Sequence, residues 1–287
     1  MQRVGVVVHP TRVVTDAVEL LRRWTEERGL ELVQIMAGQQ PPVATPGEVD
    51  SCDLIAALGG DGTVLKALHA AHDTGTPVLG VAYGSLGALS SVPQSGLWAG
   101  LDRVAAGDWL AQRLPALRVA SSEGRLASAI NDVVVLRGGG TQLILDVYVE
   151  GELYASVAGD GIVIATPLGS SAYSMAAGGA VLAADASAFI CTPLAMHGGC
   201  APPLVVSERQ RATVHIHPSV GGFEVAVDGF KLATESDRFE VAWDGSYSTL
   251  VGLDGSCGGV TRLRERGLIA DSPRIVGEVS RDLSQPG

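Results

Sequence analysis

"LIAALGGDGTVLKALH", residues 54–69, joins an apolar run to a helix-spaced segment through two glycines, an aspartate and another glycine. Leu54 to Leu58 is short and apolar throughout, which reads as a strand buried on both faces, the kind found in parallel sheets. Val64, Leu65 and Leu68 then recur at helical spacing. A strand that ends in glycines at the mouth of a helix gathers several backbone N–H groups in one concavity, and the helix end adds partial positive charge. That combination suits phosphate. Gly59, Gly60 and Gly62 carry no side chain, so an oxygen can come close to the main chain. Thr63 either caps the helix or donates to a phosphate oxygen. Asp61 is the odd member, because a carboxylate in an anion cradle needs a task. It can take the proton of an attacking hydroxyl or hold a magnesium ion that bridges phosphates. The plainer alternative is a helix cap above a glycine turn. No Gly-Lys-Ser/Thr follows, which excludes a Walker A loop, and the third glycine of GxGxxG is missing.

Outward from this stretch, the first third of the chain alternates apolar runs with helical patterns. Arg3 to His9 reads as a buried strand, Thr15 to Arg28 as a helix with Val18, Leu21 and Trp24 on one face and Gly29 as its C-cap, and "TPVLGVAYG" as a further strand. This order implies a parallel, doubly wound, Rossmann-like sheet. After about Leu114 the texture changes. "QLILDVYVEGELYASVAG", "RATVHIHP", "FEVAVDGFKLAT" and "RFEVAW" alternate apolar and polar residues and turn at Glu-Gly or Asp-Gly, which is hairpin grammar. The expected layout is an α/β domain over 1–114, a mainly β, sandwich-like domain over 115–268, and a tail over 269–287 that packs back on the first domain or is loose.

The 287 residues suffice for two domains, and 46% hydrophobic residues with a mean hydropathy of +0.27 exclude a disordered chain. A net charge of -11 argues against nucleic acid as a partner. No stretch approaches the roughly 18–20 apolar residues of a membrane span, and the start is too short in apolar residues for a signal peptide. Cys52, Cys191, Cys200 and Cys257 show no CxxC or zinc-type spacing, which fits a reduced, cytoplasmic protein. The histidines other than His197 read as surface or strand residues without metal spacing, and the metal ligands of the site stay unassigned.

A second constellation lies in the β-rich part. Asn131-Asp132 precedes an apolar run. "GDGIVIATPLGSSAYSMAAGG", from Gly159, carries a strand over Ile162 to Ala165 into Thr166-Pro167, small polar residues and Tyr173. Small residues around one tyrosine leave room for a flat ligand, although Tyr173 also reads as a core aromatic. Taken singly, Asn131 also reads as a strand-entry turn and Asp160 as a hairpin turn.

Together these stretches resemble the NAD kinase family, with its GGDGT, its glycine-rich "LG" loop ("GVAYGSLGALS" from Gly80), its Asn-acidic pair, its "DGxxxxTPxGSxAYxxxxGG" segment, its "TP…H…PLVV" stretch with His197, and a late Asp-Gly at Asp228-Gly229. The resemblance runs in order from about Arg3 to about Leu268. It implies an α/β domain, a sandwich-like β domain, a site in the cleft between them, and a homodimer or homotetramer. It further implies transfer of the γ-phosphoryl of ATP or polyphosphate, with magnesium or another divalent cation, to the adenosine 2′-hydroxyl of NAD. On that basis Asp61 is the catalytic base. Gly59, Gly60, Gly62 and Thr63 belong to the phosphate cradle, Asn131 and Asp132 hold the ribose, and Asp160, Ser171, Ala172 and Tyr173 line the nucleotide pocket. His197 is expected to be a structural histidine at the domain junction. The chain departs from the family pattern at Ala82, Ala88, Ala158, Pro202 and Phe230, all on the acceptor side. The alternatives are a kinase of the same fold for another hydroxyl, or a silent nucleotide-binding regulator.

Overall fold

The computed structural model describes residues 1–36, 40–84, 87–218, 221–253, 263–264 and 267–273. Ser85 and Leu86 of the glycine-rich loop, Cys257, and residues 274–287 of the expected tail lie outside the described residues.

The first part runs β1 (Arg3–Val8), α1 (Thr15–Glu26), β2 (Glu31–Gln34), β3 (Thr45–Pro46), β4 (Leu54–Gly59), α2 (Asp61–Ala70), β5 (Val78–Ala82), β6 (Val92–Pro93) and α3 (Leu97–Ala105). The strands β3-β2-β1-β4-β5 lie side by side and all parallel. Every residue of β4 and β5 is buried, as strands covered on both faces must be. The expected face of α1 is in place: Val18, Leu21 and Trp24 are buried, and Trp24 donates its indole N–H to Asp102 at 2.8 Å. Gly29 stops the helix at φ +65, a conformation a Cβ would strain.

The second part runs β7 (Leu110–Ser121), β8 (Gly124–Ala129), β9 (Asp132–Arg137), β10 (Leu143–Val149), β11 (Glu152–Gly159), β12 (Gly161–Ala165), the single turn α4 (Tyr173–Ala176), β13 (Ala188–Leu194), β14 (Leu204–Ser207), β15 (Arg211–Ile216), β16 (Phe223–Val227), β17 (Phe230–Leu232) and β18 (Arg238–Gly252). Six of these strands, in the order β14-β13-β12-β9-β16-β17, form an antiparallel sheet. It packs on the antiparallel half of the larger sheet, with Val135, Ile162 and Ile164 meeting Leu145, Val214 and Phe239 in a shared core. That is the expected sandwich.

The two parts are not separate sheets. β18 pairs antiparallel with β15 and β7, and its far end pairs parallel with β5 at Leu250↔Val78, so one 12-stranded sheet runs through both. β7 carries the chain across residue 114 without a break. Glu150-Gly151 and Asp228-Gly229 both turn with two positive φ values (50 and 84, 50 and 79), the twist a two-residue hairpin needs. Asp244-Gly245 does not turn. There β18 continues through a register shift between Trp243 and Tyr247, and the Asp244 carboxylate is engaged by Ser128, Ser246 and Arg125 instead.

Candidate active site

β4 ends at Gly59 and α2 opens at Asp61, with Gly60 as an N-cap that offers no side-chain hydrogen bond. The first backbone N–H groups of such a helix have no intrahelical partner and point outward. The glycines divide into two kinds. A Cβ at Gly59 would lie 2.2 Å from Thr63 Oγ1, so Gly59 is required by packing, and Thr63 is buried against it. A Cβ at Gly60 or Gly62 would meet nothing within 4 Å. Gly60 also has an extended backbone that any residue adopts. Neither packing nor conformation demands glycine at these two places, and their bare backbone leaves open space at the mouth of the helix.

Asp61 reaches across to the segment after β5. Its Oδ2 accepts the Ala88 N–H at 2.8 Å and its Oδ1 the Leu89 N–H at 3.0 Å. Gly87 permits this approach, because a Cβ there would overlap the carboxylate, and Gly80 does the same for the Leu89 carbonyl. The carboxylate is half-buried, at the carboxyl ends of parallel strands where open α/β sheets bind ligands.

On the β-rich side, the turn at Asn131-Asp132 is pinned by Asp228. One carboxylate accepts three consecutive backbone N–H groups, from Ile130 (2.7 Å), Asn131 (2.6 Å) and Asp132 (2.9 Å). Its Oδ2 lies 2.5 Å from His69 Nε2, so α2 is tied to this turn. Asp61 and His69 are eight residues apart on α2, about 12 Å of helix at ~1.5 Å per residue. The Thr166–Ser170 segment closes on the same turn: Thr166 donates to the Asn131 and Ile130 carbonyls, and a Cβ at Gly169 would lie 2.0 Å from the Asn131 oxygen. Asp132 is buried, and burial first, the Asp228 charge second, push its carboxyl up to about 7. Asn131 is half-buried.

Ser171, Ala172 and Tyr173 follow at the start of α4. Ser171 donates to the Leu168 carbonyl at 3.0 Å, and Tyr173 is 43% exposed, which rules out a core aromatic. Asp160 stands apart. Its carboxylate pairs with Arg137 at 2.6 Å, at the Gly161 end of β12, whereas Asn131 and the Thr166 turn are at the Ala165 end. Those four residue steps amount to about 13 Å at ~3.3 Å each. His197 is exposed in the loop after β13 and not at the junction. The junction histidines are His69 and His72, the latter buried with Nδ1 at 3.0 Å from Ser248 Oγ on β18. Asp244, 3.6 Å from His72, has its carboxyl held below the usual value: burial raises it, and the hydrogen bonds of Ser128 and Ser246 with the Arg125 charge outweigh that.

Sequence reasoning missed a groove of about 860 Å³ between α2 and the β16–β17 hairpin, lined by Pro10, Lys66, His69, Ser128, Phe230 and Lys231. Lys66 Nζ lies 5.6 Å from the Phe230 ring centre, and His69 meets the same ring edge-on. The i, i+3 spacing of Lys66 and His69 on the outward face of α2 was the available signal. Burial pushes the Cys191 thiol up to about 12, so this cysteine is not an activated nucleophile.

Fold and site together define a nucleotide phosphotransferase, with an anion cradle, a seated carboxylate and a ligand groove along one helix. Residues 39–109 match the model of the ATP-NAD kinase N-terminal domain, and residues 130–251 that of the ATP-NAD kinase C-terminal domain. The chain is 33% identical to the NAD kinase of Heliobacterium modesticaldum over 80% of this chain and 85% of that one. With the NAD kinase of Nitratidesulfovibrio vulgaris it shares 34% over 92% and 89%. Among solved structures, yeast NADH kinase complexed with NADH superposes with a TM-score of 0.79 at 22% identity, covering 95% of this chain and 89% of that one. An NAD kinase from Archaeoglobus fulgidus in complex with ATP gives 0.73 at 22% identity, over 92% and 96%. The chain belongs to the NAD kinase family.

Proposed function

We propose that the chain moves the terminal phosphoryl group of ATP to the 2′-hydroxyl of the adenosine ribose of NAD, giving NADP. The observation that carries this is the pair of open glycines, Gly60 and Gly62, flanking a carboxylate already seated on two amides. Phosphoryl transfer asks a protein mainly for positioning and charge stabilisation. The N–H groups at the mouth of α2 receive phosphate oxygens. The Ala88 and Leu89 N–H groups hold the Asp61 carboxylate beside that mouth. Asp61 takes the proton of the incoming hydroxyl as the new P–O bond forms and the bond to the leaving ADP breaks. Asn131 meets the ribose, with buried Asp132 behind it, and the Ser171–Tyr173 turn borders the base.

Magnesium is expected to enter as the ATP complex. The Asp61 and Asp228 carboxylates are both engaged by backbone N–H groups, so neither stands as a bare ligand. The chain is proposed to work as a homodimer or homotetramer, and among the described residues Asp160 has no contact with the cleft within one chain. Among the described residues no helix is long and apolar enough to cross a membrane, and we place the enzyme in the cytoplasm. Incubation with ATP, magnesium and a panel of acceptors tests the reading. NADP from NAD is expected; turnover of another acceptor with none of NAD overturns it.

A further inference from the structure

The antiparallel half of the large sheet turns one face into the shared core and the other away from it. On β10, Leu143, Leu145 and Val147 face the core, and on β15, Val214 and Ile216 do. Side chains alternate along a strand, so Asp146 on β10 and His215 on β15 stand on the outer face, and His217 follows on that face two residues on. Asp146 and His215 are directly opposite in register. The Asp146 Oδ2 lies 2.8 Å from His217 Nε2, the two imidazole rings are 5.2 Å apart, and all three residues place a ligand atom within 4.8 Å of one another. Ser156 on β11 donates to Asp146 Oδ1 at 2.6 Å, which fixes the carboxylate and leaves the other oxygen turned toward the histidine.

We propose that Asp146, His215 and His217 form a binding site for a first-row divalent transition metal ion, separate from the kinase cleft. Two imidazoles and a carboxylate suit zinc, nickel, cobalt or copper, and do not suit magnesium or calcium, which take oxygen ligands. Ligand atoms around such an ion sit about 3.3 Å apart for bonds of ~2.0–2.1 Å. The Asp146–His217 contact is already shorter than that, and His215 needs only a small side-chain adjustment. On binding, the ion takes the place of the proton between Asp146 and His217; a neutral imidazole then carries its proton on Nδ1, and an imidazolium gives one up to solvent. The Ser156 hydroxyl is the outer partner that orients the carboxylate, as ligating groups usually require. Arg238, in register with His215 on β18, brings a cation to the same face. Its charge weakens the hold on any divalent ion, so the selectivity comes from the two imidazoles. The ion would cross-link β10 and β15.

Calorimetric titration of the full chain with zinc chloride, beside magnesium chloride, tests this. One zinc per chain and no heat with magnesium are expected, with melting raised by about 4–5 °C at a hundredfold excess over Kd. The double variant His215→Ala, His217→Ala should lose at least tenfold in affinity. Its ATP-dependent activity should be that of the wild type. Proton NMR of the wild type gives a readout that needs no variant: two imidazoles should shift or broaden together on adding nickel. Absence of zinc binding in the wild type overturns the proposal, as does undiminished binding in the double variant or a nickel effect on other histidines only.

Discussion

Asp61 and Asp228 do the same thing in two regions of the molecule: each seats a carboxylate on the backbone N–H groups of a neighbouring loop. They differ in burial and in what they face. Asp228 takes three amides, approaches His69 as well, and has a fully buried side chain. Asp61 takes two amides, is half-buried, and faces a cradle whose glycines leave open space. A fully buried carboxylate held by three amides and a histidine is a strut between the domains. The half-buried one, beside open glycines, is the one we propose for chemistry. The difference is in burial and surroundings, not in residue type.

The sharpest way to break the comparison is Asp61→Asn. If Asp61 is the base, turnover falls by about 10²–10⁴-fold while NAD affinity and melting temperature hardly move. Steady-state kinetics beside a melt separates this from a folding defect. Asp228→Ala should do the opposite, exposing three unsatisfied amides and costing about 3 kcal/mol or more, a fall in Tm on the order of 5–10 °C.

Asp132 sharpens the contrast through pH. Its carboxyl is pushed from 3.8 up to about 7, by burial and then by Asp228. The folded state therefore holds a proton that the unfolded state has lost between those values. Asp132 contributes stability that is fully present below pH ~4 and lost as pH rises through about 7. Melting curves of the wild type should show that decline between pH 5 and 8, and Asp132→Asn should flatten it. An equal decline in the variant assigns the titration to another group.

The smallest effect on stability belongs to Gly62→Ala. Replacing an exposed helical glycine whose Cβ meets open space should stabilise the fold by up to about 1 kcal/mol. The same methyl should raise the KM for ATP severalfold, and a variant that gains stability without losing ATP affinity removes the glycine from the cradle.

Much of this was legible along the chain because it is local. Buried strands, the helix face of Val18, Leu21 and Trp24, and the turns at Glu150-Gly151 and Asp228-Gly229 follow from period and dipeptide. The shared sheet was not legible. β18 joins β5 through pairing between residues far apart in sequence, and Asp244-Gly245 spells a turn that tertiary hydrogen bonds override. At the site, Gly60, Asp61 and Gly62 could be read from the motif. The Asp228 strut and the groove beside Phe230 depend on where the hairpin lands on α2. Asp146 is opposite His215 only because β10 and β15 pair, so its place beside the two histidines left no spacing to find. A strand sets ligands two residues apart, and His215 and His217 are so spaced.

The account stands on the adenosine 2′-hydroxyl as the group that Asp61 deprotonates. Phosphorus NMR of the products from ATP, magnesium and either NAD or its adenosine 2′-deoxy analogue tests that directly. NAD should acquire a 2′-phosphate, and the analogue should bind and remain unphosphorylated. A phosphate transferred to the analogue, or NAD bound and left unchanged, contradicts the account.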